Sequence, residues 1–375
     1  MHLHRLHLLQ PVLGRPAQRH GDPPVSVIPD VSDPFAADRG GPAQPLLTVS
    51  GLVKHFPVRK GAGPKKTVRA VDGIDLTVLK GETLGIVGES GCGKSTTAKL
   101  IMGLIERDAG QILYDGQPVG ERAMPWRSYR RAVQMVFQDS YASLNPRMTV
   151  EQSIAFGPKV NGVPGRQAVD RARALLDRVG LEPKRFAGRY PHEISGGQRQ
   201  RVNIARALAL EPRLVLLDEA VSALDKSVEA QVLNLLLDLK QEFGLTYIFI
   251  SHDLNVVRFI SDRVMVMYLG RVAEIGPSDT VLAAPAHPYT QALLASMPSL
   301  DPDNRTEEAL LAGDPPNPID PPSGCRFHPR CALAADVCSG TEPALDAVAP
   351  LHRVACLARQ AGSGHPAAPA RALAA

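Results

Sequence analysis

The chain has 375 residues, 44% of them hydrophobic and 21% charged, with a formal net charge of +4. That balance suits a globular protein with room for one large domain or two modest ones. No apolar run approaches the roughly 18–20 residues of a membrane helix, so any membrane role is peripheral, and so small a charge argues neither for nor against nucleic acid.

Residues 1–45 begin MHLHRLHLLQPVLGRP. His, Arg and Pro interrupt the apolar core that a signal peptide needs. The segment reads as a disordered extension, or as a start codon set too early. Residues 46–276 form the main domain. LLTVSGLVKHF and TVRAVDGIDLTVLKGE alternate apolar and polar residues, which predicts antiparallel strands. TLGIV (83–87), VQMVF (133–137), RLVLLD (213–218), LTYIFIS (245–251) and RVMVMY (263–268) are near-continuous apolar runs. They read as strands buried on both faces of a parallel or mixed sheet. Helical patterns over 94–105, 166–179, 198–210, 226–243 and 254–261 complete an α/β layered architecture. Residues 277–356 change character. Two short helices broken by prolines precede the Pro/Gly-rich stretch DPPNPIDPPSG and a cysteine segment, and residues 357–375 read as a frayed, low-complexity tail.

Three stretches carry candidate chemistry. Gly88-Glu-Ser90-Gly91-Cys-Gly93-Lys94-Ser95 fits G-x-x-x-x-G-K-[ST] between a predicted strand and a predicted helix. Its glycines let backbone N–H groups turn inward around phosphates. Lys94 would bond β- and γ-phosphates, Ser95 would hold Mg²⁺, and Thr96 would reach an α-phosphate oxygen. The strand ending in Asp218-Glu219 places two carboxylates at a sheet tip, Asp218 for the metal and Glu219 to polarise water. Ser195-Gly196-Gly197-Gln198 opens a helix with Ser195 as its N-cap; alone it is an ordinary capped turn.

In that order and spacing the set resembles an ABC-family nucleotide-binding domain over roughly residues 46–275, with SGGQ as its signature. By that resemblance Gln138 in VFQD is the Q-loop glutamine that senses Mg²⁺, water and the membrane partner's coupling helix. Asp225 in SALD lies in the D-loop, His252 in FISHDL is the switch histidine at the γ-phosphate, and Phe56 stacks on adenine. Ile194 replaces the usual Leu or Phe before the signature Ser, and Ala220 follows Glu219 where many relatives have Pro. The resemblance implies a P-loop NTPase fold with a mixed-sheet core, an antiparallel β subdomain and a helical signature subdomain.

VKHFPVRKG, the insert with Lys65 and Lys66, QDSYASLNPRMTV and HPYTQALL are similar to the ATP subunits of oligopeptide, dipeptide and nickel importers. So is GCRFHPRC. The implied function is ATP hydrolysis powering import of peptides or similar small solutes from the cytoplasmic face of the plasma membrane. The implied partners are two transmembrane permease subunits, a second ATPase subunit that is a related chain or a second copy, and an extracytoplasmic solute-binding protein, with no nucleic acid. An exporter ATPase and a soluble ABC ATPase acting on nucleic acid or ribosomes are the alternatives. Some members of that group hold a 4Fe–4S cluster on four cysteines. Here Cys325, Cys331, Cys338 and Cys356 are spaced C-x5-C-x6-C-x17-C. That supplies four thiolates without the C-x2–4-C pairs usual for zinc. Cluster, zinc and no metal all remain open. Cys92 reads as a small buried filler, and the basic run Arg59, Lys60, Lys65, Lys66 as a solvated loop.

Overall fold

The computed structural model describes residues 44–58, 66–296 and 317–369. The extension over 1–43 and the basic residues Arg59, Lys60 and Lys65 lie outside them. Among the described residues no helix is long and apolar enough to cross a membrane.

In chain order the structure runs β1 (Pro45–Val58), β2 (Lys66–Leu79), β3 (Thr83–Val87), α1 (Lys94–Ile101), β4 (Ala109–Tyr114), β5 (Gln117–Pro118), α2 (Trp126–Ala132) and β6 (Val133–Val136). Next come α3 (Val150–Val160), α4 (Gly165–Arg178), α5 (Pro183–Phe186), α6 (Gly196–Leu208), β7 (Leu214–Asp218), α7 (Lys226–Phe243), β8 (Thr246–Ile250) and α8 (Leu254–Ile260). The chain closes with β9 (Arg263–Tyr268), β10 (Arg271–Pro277), α9 (Ser278–Ala283), α10 (Pro288–Ala295), α11 (Asp336–Gly340), β11 (Asp346–Ala349) and β12 (His352–Val354).

The large sheet has strand order β11-β12-β10-β9-β3-β8-β7-β6. Strands β9, β3, β8, β7 and β6 are parallel, and β10, β12 and β11 add to one edge antiparallel. The expectation of fully buried central strands holds: every residue of β3, β7 and β8 is buried. Their side chains alternate between two cores, as a period of two requires. Val215, Leu217, Tyr247, Phe249, Val264 and Val266 face the helical side, with α3, α4, α6, α7 and α8. Leu214, Leu216, Ile248, Ile250, Met265 and Met267 face α1 and the second sheet. That second sheet, β2-β1-β4-β5, is antiparallel. It contributes Leu47, Val49, Leu52, Val71, Ile74 and Val78 to the same core.

Several expected boundaries move. The first helix stops at Ile101 instead of 105, because Gly103 turns to φ 63° beneath the Trp126 ring. The tail expected to fray from 357 is ordered through 369. It forms a 3₁₀ turn at Leu357–Arg359, and His365 is buried with its Nε2 2.8 Å from the Leu333 carbonyl oxygen. The low-complexity composition gives no sign of this, because a single buried imidazole anchors the segment.

Gly85 is the one small residue in β3. A Cβ there would lie 2.5 Å from both Ser261 Oγ and Val257 Cγ1, so α8 sits directly on the strand. Gly85→Ala should therefore lower stability by about 1–3 kcal/mol through overpacking. An unchanged urea midpoint would show that α8 does not lie that close.

Candidate functional site

The loop Gly88–Ser95 joins β3 to α1 at the C-terminal end of the parallel strands, where open α/β sheets bind ligands. Its shape depends on glycine. Gly88, Gly91 and Gly93 have φ of 148°, 78° and 108°. A Cβ at Gly88 would meet the Met267 carbonyl oxygen at 2.2 Å, and one at Gly93 the Ala70 carbonyl oxygen at 2.2 Å. Gly93 is also the N-cap of α1, which no side chain caps. The first N–H groups of the helix are therefore left for an anion. The Lys94 ammonium is buried and donates to the carbonyl oxygens of Gly88 (2.7 Å) and Glu89 (3.0 Å). Ser90 is exposed and Thr96 half-buried on the same loop.

Asp218 ends β7 beside this loop, and Ser95 Oγ donates to its Oδ1 at 3.0 Å. Burial raises the Asp218 pKa; the Ser95 hydrogen bond opposes this and the neighbouring Glu219 adds to it. Glu219 has left the strand with φ 48°, while its N–H still donates to the Ile250 carbonyl oxygen at 2.9 Å. A left-handed non-glycine residue costs about 1–3 kcal/mol and concentrates at functional sites. Here the kink turns the carboxylate toward two partners from distant chain segments. Gln138 Nε2 donates to Glu219 Oε2 at 2.6 Å, and His252 Nδ1 lies 3.6 Å from Oε1. Gln138 and His252 are both exposed. Five sequence-predicted residues thus converge: Ser95, Gln138, Asp218, Glu219 and His252.

The others stand apart. Ser195 caps α6 in a reciprocal box with Gln198: Ser195 Oγ accepts from Gln198 N at 3.3 Å, and Gln198 Oε1 accepts from Ser195 N at 3.0 Å. Among the described residues no hydrogen bond or ion pair joins Ser195, Gly196, Gly197 or Gln198 to the Gly88–Ser95 loop. Asp225 caps α7, accepting from Val228 N (3.0 Å) and Ser227 Oγ (2.7 Å), and these bonds lower its pKa. Phe56 is half-buried on β1 with Lys54 Nζ 5.5 Å from its ring centroid, so it is not a core phenylalanine. Cys92 is buried within the loop, which raises its pKa.

The four extension cysteines are free thiols that line one cavity of about 10 Å³, together with His287, His328 and His365. Burial pushes the Cys325 thiol up to about 11, and the other three thiols add to that rise. Among the described residues no three His, Cys, Asp or Glu side chains are gathered closely enough to hold a single metal ion. Their donor chemistry suits a thiolate centre. The space between them is about that of one water, so a four-iron cluster needs the surrounding turns to spread.

Sequence reasoning missed how the extension reaches the loop. Glu89 N–H donates to Tyr289 Oη at 2.8 Å, and both Glu89 carboxylate oxygens accept from Arg330, at 2.9 and 3.0 Å. Arg326 donates to Asp72 and to the Leu269 carbonyl oxygen. Burial raises Asp72, but hydrogen bonds from His55 and Arg326 outweigh it and its pKa is lowered. Tyr289 lies within HPYTQALL, and Arg326 and Arg330 lie within GCRFHPRC. Both segments stand out in the sequence, yet nothing in their spacing names a contact.

Residues 71–222 match the ABC transporter family, and residues 273–338 match the oligopeptide/dipeptide transporter C-terminal region. The oligopeptide transport ATP-binding protein OppF of Salmonella typhimurium is 50% identical over 325 residues, covering 83% of this chain and 96% of that protein. OppF of Escherichia coli is 49% identical over 326 residues, with the same coverage of each. CbiO1 of Clostridium perfringens, part of an ABC transporter complex, superposes with a TM-score of 0.55 at 31% identity over 64% of this chain and 91% of its own. A P-loop loop-to-helix site, a mixed sheet with an antiparallel subdomain and these likenesses agree: the chain belongs to the ABC transporter ATP-binding proteins and carries the oligopeptide/dipeptide transporter C-terminal region.

Proposed function

We propose that the chain hydrolyses ATP to power import of peptides or similar small solutes, as one ATPase subunit of a peripheral assembly on the cytoplasmic face of the plasma membrane. The observation that carries the ATPase reading is the convergence of Gln138 and His252 on Glu219, beside the Ser95–Asp218 pair. The match of residues 273–338 to the oligopeptide/dipeptide C-terminal region, and the OppF relatives, support import over export or a soluble role.

In this reading the Gly88–Thr96 amides and Lys94 hold the phosphates, and Phe56 packs on the base. Bound Mg²⁺ would neutralise charge on the β- and γ-phosphates. Ser95, Asp218 and Gln138 would hold it, directly or through water. Glu219 orients a water and takes its proton as the water oxygen attacks the γ-phosphorus; the bond to the β-phosphate oxygen breaks and ADP leaves. His252, beside Glu219, contacts the γ-phosphate. Ser195–Gln198 and Asp225 serve a second nucleotide domain across a dimer, which supplies the same residues in return. Two permease subunits dock near Gln138, and in the chain that follows it Tyr141, Phe156 and Val160 are exposed apolar side chains. A solute-binding protein delivers the cargo.

Glu219→Gln keeps the Gln138 contact in shape but cannot accept a proton. ATP hydrolysis by the assembled transporter should fall about a hundred- to ten-thousand-fold, with nucleotide still bound. Turnover near the parent's would remove Glu219 from its role.

For the extension we propose one thiolate-ligated centre, an iron–sulfur cluster on Cys325, Cys331, Cys338 and Cys356. The support is that all four thiols line one cavity and none is paired in a disulfide. Protein purified without oxygen should contain iron and acid-labile sulfide in equal amounts, both lost in Cys331→Ser. Stoichiometric zinc, or neither element, would refute the cluster.

A further inference from the structure

Glu89 puts a carboxylate beside the predicted phosphate site. It directly follows Gly88, and its own carbonyl oxygen accepts the Lys94 ammonium. A bare carboxylate there would repel the anion that the loop is shaped to hold. The structure deals with this charge from outside the nucleotide domain. Arg330, between the second and first cysteines of GCRFHPRC, forks onto both carboxylate oxygens at 2.9 and 3.0 Å. The pair is largely enclosed, with side-chain exposures of 5% for Arg330 and 18% for Glu89. Bidentate guanidinium–carboxylate geometry fixes orientation as well as charge. The Glu89 N–H donates to Tyr289 Oη at 2.8 Å, and Tyr289 is fully buried. Tyr268, Tyr289 and Phe327 pack ring against ring behind this contact, with centroids 4.6 to 5.4 Å apart. Every polar group of Glu89 is therefore held: its amide by Tyr289, its carboxylate by Arg330, and its carbonyl by Lys94 and by Cys92 N at 3.3 Å.

We infer that Arg330 and Tyr289 are positioning residues for ATP binding, through which the cysteine-bearing extension sets the shape and local charge of the phosphate loop on its own chain. Neither touches nucleotide; both act through Glu89. This rests on the assignment of Gly88–Ser95 as the phosphate loop.

The test uses the full chain and measures ATP affinity by calorimetry, with amide hydrogen exchange over residues 88–93. Arg330→Gln should weaken ATP binding about ten-fold, within the usual range of coupling between sites. Glu89→Gln added to Arg330→Gln should recover most of that loss, because the unpaired carboxylate is gone. Tyr289→Phe removes a single oxygen, so it tests the same link should Arg330→Gln fail to fold. Its expected signature is faster exchange at the Glu89 amide and weaker ATP binding. A purely structural role for Arg330 would lower the melting temperature, leave affinity and loop exchange unchanged, and overturn the inference. So would a further, additive loss in the Glu89→Gln, Arg330→Gln double variant. Lys94→Ala separates the two claims. If it binds ATP as the parent does, the loop assignment falls and this inference with it. If it loses ATP while Arg330→Gln and Tyr289→Phe bind normally, this inference alone falls.

Discussion

The site depends on how closely backbone can approach backbone at Gly88 and Gly93. Any Cβ at these positions would lie within 2.2 Å of a carbonyl oxygen, Met267 at one and Ala70 at the other. The loop is wedged between β9 of the large sheet and β2 of the antiparallel one. Gly270 ties the same junction, donating to the Cys92 carbonyl oxygen and accepting from Asp72 N. Amides aimed at an anion need their carbonyls satisfied elsewhere; the wedge does that for Cys92, and Lys94 does it for Gly88 and Glu89. Because β3, β7 and β8 run parallel, the loop, Asp218 and the turn before His252 then emerge at one edge.

Charge decides what that edge can hold. Asp218 and Glu219 are sequence neighbours at a strand tip, and burial already works against ionising Asp218. Ser95 meets it with one hydroxyl, and the charges of Lys99 and Lys94 help, yet the Asp218 pKa still ends up raised. A bound divalent cation would resolve the conflict, so the arrangement favours a metal–phosphate ligand over a bare anion. The left-handed turn at Glu219 follows from the same need. A strand continued past Asp218 would carry the next side chain to the opposite face, away from Gln138 and His252.

What the sequence made legible follows from how much of each element is apolar and continuous. β3, β7, β8 and β9 are buried throughout or nearly so, and their runs stand out. β4 is exposed over its first three residues and leaves no such run. α3 contains Gly157 and Pro158, which obscure its period. The residues of the site were named from motif order, since Gln138 and Glu219 sit 81 positions apart and nothing local links them. The Arg330–Glu89 pair, separated by 241, was beyond reach for the same reason. No periodicity encodes a long-range ion pair.

The extension and the signature segment thus occupy opposite standings relative to the loop. Ser195 and Gln198 satisfy each other and leave Ser195 exposed, so the N-terminus of α6 is set in place without drawing on the loop of its own chain. Under the proposed dimer, that surface would face the nucleotide of the second chain. Arg330 and Tyr289 instead bind the loop in cis, through buried contacts that need no partner subunit. A nucleotide would then feel two influences of different kind. One arises from assembly and is lost on dissociation. The other is fixed within the chain and shifts only if the cysteine segment around residues 325–338 moves, because Cys325 N bonds the Cys338 carbonyl oxygen and holds the turn that carries both arginines.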